Sequence, residues 1–380
     1  MKTSSTGRYI KQLSGETQFK AFIPENLPFD IKYDDDLVNL LSKADSAIAR
    51  FDEIAENLPD INYFLKMYIG KEASLSSQIE GTQATLSDYL KEESKLKIKE
   101  LPNDTDEIRN YINAMDYGIN RLKDFPFSLP LIKEIHKILL KGVRGEHKTP
   151  GEFRISQNWV GGTSIQTANY IPPPVEEMKT AMHELEKFFY TSDQIPVLIK
   201  TALIHYQFET IHPFLDGNGR IGRLLITFFL IHKKVLKKPL LYLSEYFKKY
   251  RQEYYDALSN ARDKYNIESW IKFFLEGVKI TAERATSTIN KIVEMKKYDL
   301  EKINASGSRT GKLLKVYEYL YSRPFLTSKI IKELIPVSSK YALEIMDKLE
   351  KLGIIEELEK GLRPKIYIFE KYRTIFEEMS

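Results

Sequence analysis

The chain has 380 residues, 42% hydrophobic and 29% charged, the balance of a globular protein too long for one typical domain, so two or three are expected. A formal net charge of +4 is small for this length and does not by itself argue for a nucleic-acid partner. Cysteine is absent, which excludes disulfides, thiolate metal sites and a cysteine nucleophile.

The first residues, MKTSSTGRYIKQ, lack an apolar signal core, and the strongest apolar run, LLITFFLI, falls far short of the roughly 20 residues a spanning helix needs. A cytoplasmic protein without membrane contact is therefore expected. Residues 1–35 read as an irregular arm whose run Asp34-Asp35-Asp36 caps the next helix. Leu37, Leu40, Leu41, Ala44, Ala47, Ile48 and Phe51 recur at helical spacing over Asp36 to Asn57. A second helix is expected from Asp60 to Ile79, stopped by Gly81, with further ones over 104–123, 129–142, 175–190 and 196–211. Residues 148–174 break the pattern. Gly161-Gly162 between two short extended runs predicts a β-hairpin, and Pro172-Pro173-Pro174 a stiff polyproline lead into the next helix. Helices resume at 217–234, 244–262 and 266–303. The stretch Ser306-Gly307-Ser308 marks a junction. Beyond it, helical patterns at 311–321, 327–334 and 338–352 precede Gly353 and strand-like alternation with a turn at Gly361, the outline of a winged helix. The expected fold is mostly α, with a helical region over 1–100, a core over 101–305 and a winged-helix domain over 306–380.

The chemistry concentrates in one stretch, His212-Pro213-Phe214-Leu215-Asp216-Gly217-Asn218-Gly219-Arg220-Ile221-Gly222-Arg223. The glycines permit a tight turn and close approach of backbone to a ligand. The helix that follows presents free N–H groups and a positive dipole end to that loop, a ready phosphate site. Arg220 and Arg223 stand three apart, where two guanidinium forks can clamp successive phosphates. Asp216 is an oxygen ligand suited to Mg2+, and His212 can accept a proton near neutrality. A helix cap with a satisfied histidine and two surface arginines is the plainer alternative, and it does not account for the whole set.

The stretch resembles the Fic family at every fixed position of its motif, H-x-F-x-[DE]-G-N-G-R-x-x-R. The resemblance implies a helical Fic core and transfer of AMP from ATP to a hydroxyl of a target protein. It makes His212 the general base and Asp216 the Mg2+ ligand. Gly217, Asn218 and Gly219 form the anion hole of the ATP site, continued by Ile221 and Gly222, while Arg220 and Arg223 hold the β- and γ-phosphates. Upstream, Ser76-Ser77-Gln78-Ile79-Glu80-Gly81 alone is a helix end stopped by glycine. Beside the motif it matches the family's inhibitory pattern [ST]-x-x-x-E-[GN], which implies that Ser76 and Glu80 mark an inhibitory helix and that Glu80 pairs with Arg223.

By the same resemblance, Ile165-Gln166-Thr167-Ala168 corresponds to a flap that docks the target segment by strand addition, although residue types alone fit an ordinary surface hairpin. Tyr254-Tyr255 matches a stretch lining the adenine pocket, with core packing the plain alternative. Some relatives carry asparagine where this chain has Arg262. His205, seven residues before His212, is read as a structural histidine because no third ligand stands nearby. On the helix over 338–352, Glu344, Asp347 and Glu350 would repel phosphates, so protein contact or a homodimer is placed ahead of DNA. Two rival functions remain open: AMP removal or another phosphoryl-group transfer at the same site, and an ATP-sensing DNA-binding regulator.

Overall fold

The computed structural model describes residues 5–15, 18–56, 61–93, 104–191, 194–307, 310–358 and 365–377. The chain opens with a hairpin, β1 (Gly7–Gln12) and β2 (Phe19–Pro24), paired antiparallel from Gly7 opposite Pro24 to Gln12 opposite Phe19. This corrects the expected irregular arm. Two strands of six residues, GRYIKQ and FKAFIP, carry little apolar alternation, and burial of Ala21 and Phe22 against the core fixes them instead.

Helix α1 (Asp35–Glu56) starts where Asp34 Oδ1 accepts the Leu37 amide at 2.8 Å, and it buries Leu37, Ala44, Ile48, Phe51 and Ala55. Next come α2 (Ile61–Ile79), α3 (Leu86–Glu93), α4 (Thr105–Arg121), α5 (Leu129–Leu139) and α6 (Val175–Phe189). The expected start of the second helix at Asp60 lies outside the described residues, and α3 was not expected, its roughly two turns being too short for periodicity to register. The centre is α7 (Val197–Ile211), buried almost all round, followed across the motif loop by α8 (Asn218–His232). The helix expected over 244–262 is two, α9 (Ser244–Lys249) and α10 (Arg251–Asp263), because Tyr250 leaves helical geometry at φ −109°, ψ 47°. The 39-residue α11 (Ile267–Ala305) has its first turn capped by Asn266, lies along α1, and keeps a buried face as far as Ile303.

Past Gly307 the chain forms α12 (Thr310–Ser322), β3 (Phe325–Leu326), α13 (Ser328–Leu334), α14 (Ser339–Lys351), β4 (Glu356–Glu357), β5 (Tyr367–Ile368) and α15 (Glu370–Glu377). The strands make an antiparallel sheet in the order β3-β5-β4. Neither β3 nor α15 was expected, and the turn at Gly361 lies outside the described residues. This segment is packed on the rest: α12 and α15 contact α2, with the Phe64 and Phe376 rings 5.7 Å apart. One apolar core runs from Phe29 to Phe376. Among the described residues no helix is long and apolar enough to cross a membrane.

Candidate active site

Helix α7 ends on His212, whose backbone is left-handed at φ 50°, ψ 61°. A non-glycine residue holds that conformation only where its surroundings insist. Two side chains from the 148–174 segment do so. Arg154 Nε donates to His212 O at 3.1 Å, and Asn158 Nδ2 donates to His212 O at 3.2 Å and to Phe214 O at 2.9 Å. Arg154 is 1% exposed, gives its remaining N–H groups to Ser156 O and Pro173 O, and takes Pro213 O on its own amide at 2.8 Å. The predicted hairpin is thus mostly a loop. It has one antiparallel bridge, Val160 to Tyr170, because Arg154, Asn158 and Tyr170 turn inward to brace the motif and not to extend a ladder. Beyond Gly161-Gly162, Thr167 Oγ1 accepts the amides of Thr163 and Ser164, which closes a compact tip. On that tip Ile165 and Ala168 are half-buried, while Gln166 and Thr167 are exposed.

The His212 ring sets its Nδ1 3.3 Å from the Glu209 carbonyl, which can only accept, so Nδ1 carries the proton and Nε2 is left as the free base. Burial is the main influence on this imidazole and holds it down to about 4, against the opposing pull of the Glu209 carbonyl and Glu80. At neutral pH it is an unprotonated acceptor.

After His212 the loop is built from its own side chains. Asn218 Oδ1 takes the Phe214 amide at 2.9 Å and Asn218 Nδ2 donates to Phe214 O at 2.8 Å. Asp216 Oδ1 takes the amide of Gly217, itself left-handed at φ 79°. His136 on α5 stacks on Phe214 at 3.7 Å between centroids. It accepts the Gly151 amide on Nδ1 and donates from Nε2 to Asp216 O, each at about 2.9 Å or less. No side chain caps α8, so its first-turn amides stay open to an anion.

The two motif arginines have different surroundings. Arg220 is 0% exposed, with Nη1 3.3 Å from Glu107 Oε2 and Nη2 3.5 Å from Asp216 Oδ1. It stands behind the loop, against Asp216 and Glu107. Arg223 donates from Nε to Ser76 Oγ at 2.8 Å, and from Nη2 to Ser76 O at 2.9 Å and Glu80 Oε1 at 2.8 Å. Burial raises the Glu80 carboxyl, but Arg223, with help from Arg220 and His212, outweighs it and holds the group below its ordinary value. The same carboxylate lies on Gly219, where a Cβ would collide with Glu80 Oε1. Ile221 is core, and Gly222 leaves room for the Glu209 carboxyl while its carbonyl accepts from His205 Nδ1 at 2.9 Å.

Tyr254 is buried, stacked 4.5 Å from Phe247, and donates its hydroxyl to His205 Nε2 at 2.9 Å, so of the tyrosine pair it is Tyr255, 38% exposed, that meets solvent. Arg262 lies 4.0 Å over the Tyr170 ring. Sequence reading missed Glu107, His136, Arg154, Asn158 and Glu209. Glu107, buried on α4, interrupts an otherwise apolar face and could have been flagged. Glu209 is pushed up to about 7 by burial, and its Oε1 has no hydrogen-bond partner.

Residues 38–120 match the Fic/DOC family N-terminal model and residues 126–230 the Fic/DOC family model. A probable protein adenylyltransferase of Aquifex aeolicus is 27% identical over 277 residues, covering 70% of this chain and 79% of that protein. The protein adenylyltransferase Fic of Aedes aegypti is 32% identical over 174 residues, 45% of this chain but only 31% of that protein. Among solved structures, a Fic family protein from Desulfovibrio desulfuricans G20 superimposes with a TM-score of 0.59 at 19% identity, covering 89% of this chain and 97% of that one. A Fic domain containing signaling protein from Bacteroides thetaiotaomicron gives 0.52 at 18% identity, covering 67% and 97%. At such identities the two structures speak for the fold. With a mostly helical fold, and with the loop that carries His212 inside the second of the two family matches, the chain belongs to the Fic/DOC family.

Proposed function

We propose that this chain is a protein adenylyltransferase that moves AMP from ATP to a Ser, Thr or Tyr hydroxyl of a target protein and of itself. The observation that carries the reading is the free Nε2 of a neutral His212 beside the uncapped start of α8. His212 takes the hydroxyl proton as the oxygen attacks the α-phosphorus, and pyrophosphate leaves with the electrons of the broken P–O bond. Open amides of Asn218 and Gly219 stabilise charge on the phosphates, and positioning supplies most of the acceleration. Relatives named protein adenylyltransferases support this reading.

Asp216 suits Mg2+: its side chain is 32% exposed, and a Cβ at Gly145, where φ is +90°, would crowd Asp216 Oδ2. One carboxylate plus substrate phosphates is the usual protein share of such a site, and the ion would neutralise phosphate charge. Arg220 and Gly217 keep that carboxylate turned to the loop.

We read the Glu80–Arg223 pair as autoinhibitory. Arg223 gives Nε and Nη2 to Ser76 and Glu80, and Glu80 covers Gly219, where phosphate oxygens would lie. The segment after 306 we read as a winged helix from its order of α12, β3, α13, α14, β4 and β5. The exposed Glu344, Asp347 and Glu350 on α14 favour a protein partner, a second copy included, over DNA. A reaction that consumes ATP suits the cytoplasm. The test is intact mass after incubation with Mg-ATP: an added adenylyl group is expected on the Glu80→Gly chain. No adduct on that chain, and no label from ATP on any protein mixed with it, would sink the reading.

A further inference from the structure

Hairpin β1–β2 places two lysines where a hairpin is weakened by them. Lys11 and Lys20 are directly opposed partners in the register, both exposed, and neither pairs with a carboxylate among the described residues. Like charges facing each other across a strand pair are destabilising, so the pair costs this small hairpin stability that a neutral residue would not. On the same face, one pair further along, Tyr9 packs edge-on to Phe22 at 5.1 Å, with the Tyr9 hydroxyl committed to Asp263.

The hairpin is attached to the flap. The Phe22 amide donates to Ile171 O at 3.0 Å, and Phe22 lies 6.5 Å from Tyr170. Between the two runs a groove of about 230 Å³ is walled by Tyr9 and Lys20 on one side and by Ile165, Gln166, Ala168 and Asn169 on the other. Among the described residues Lys20 is the only charged one in that lining. Tyr170, at the floor, donates its hydroxyl to Thr210 O, which ties the groove to the chain two residues ahead of His212.

We propose that the hairpin and the flap together form the docking groove for the target segment, and that Lys11 and Lys20 select an extended segment with an acidic side chain flanking the hydroxyl to be modified. The inference rests on the adenylyl-transfer reading above and adds the chemistry of the acceptor. Lys20, beside the amide-bearing Gln166 and Asn169 and with Lys11 opposite it in the register, complements a carboxylate, and Ile165 with the Tyr9 ring gives the segment an apolar seat. Neighbouring lysines with no carboxylate partner among the described residues hold a positive potential that an acidic strand would neutralise on entry.

The test uses the full chain carrying Glu80→Gly, labelled ATP, and three hydroxyl-bearing peptides that differ only in Glu, Gln or Lys flanking the acceptor. The Glu peptide should be preferred over the Gln peptide by about five- to tenfold in kcat/KM, through KM, and the preference should fade in high salt. In Lys11→Gln with Lys20→Gln it should fall to near unity, and in Lys11→Glu with Lys20→Glu it should turn towards the Lys peptide. Equal use of the three peptides, or none used while the chain labels itself, overturns the groove's role and leaves the transfer reading intact. Absence of label on both peptides and chain overturns the transfer reading, and this inference with it.

Discussion

Glu80 Oε1 lies 2.8 Å from Arg223 Nη2 and also fills the space over Gly219, so one carboxylate closes both the guanidinium and the start of α8. On the autoinhibitory reading proposed above, two groups meant for the triphosphate are blocked by the last residue before the turn at Gly81. Glu80→Gly should therefore raise self-AMPylation well above wild type, since misplacing a reacting centre by about 1 Å can cost 10²-fold. Adding Arg223→Ala should remove most of that gain, because the released guanidinium is its source. Label incorporation followed by mass spectrometry measures both. Equal labelling of wild type and Glu80→Gly would return Glu80 to a helix-end role, and loss of an AMP-removing activity in Glu80→Gly would favour the reverse reaction.

His212→Ala, placed in the Glu80→Gly chain, should lower the transfer rate about 10²- to 10⁴-fold while ATP binding is largely kept. In the proposed reaction the imidazole takes the proton, whereas the amides of α8 hold the phosphates. Calorimetric ATP affinity beside the rate separates the two. Retained near-parental rates would show that another group is the base.

The pH dependence has a definite sign. His212 acts unprotonated, and burial holds it at about 4, below its ordinary 6.5. Activity is then full above that pKa and is lost as pH falls through it. The acid limb of kcat/KM in the free enzyme should have its midpoint below pH 6.5. A midpoint at or above 6.5 would mean that the ring titrates like an exposed histidine.

Arg154→Met should destabilise the fold by about 2 kcal/mol, because the buried Pro173 carbonyl loses its guanidinium donor, and Ser156 O and His212 O each lose one bond. The left-handed His212 would lose a restraint as well, so transfer should slow even at temperatures where the variant is folded. Urea unfolding with a rate measurement checks this. An unchanged midpoint would mean that water or neighbouring amides replace the guanidinium.

The motif was legible because its residues are contiguous and each has a distinct chemistry. Glu80 and Ser76 were legible only through their spacing from a glycine and the presence of that motif. The supports were not. His136, Arg154 and Asn158 act through backbone carbonyls of the loop, and such contacts leave no periodicity in sequence. Arg220 and Arg223 read alike in sequence, yet Glu107 on α4 separates their environments, a pairing across more than 100 residues. The long helices followed their apolar spacing, whereas β1 and β2 are fixed by contact with Tyr170 and Ile171 and were invisible as a local pattern.

Helix α2 is a rod of roughly 28 Å. Near its start Phe64 meets Phe376 of α15, and at its far end Ser76 and the adjoining Glu80 hold Arg223. Free energies linked through one body are reciprocal. If a partner on the tail shifts α2 and eases Glu80 from Arg223, then ATP that displaces Glu80 must tighten that partner's binding by the same factor. The partner's affinity for the C-terminal helix should then rise when ATP binds, turning that helix into a reporter of a nucleotide held at the other end of the rod.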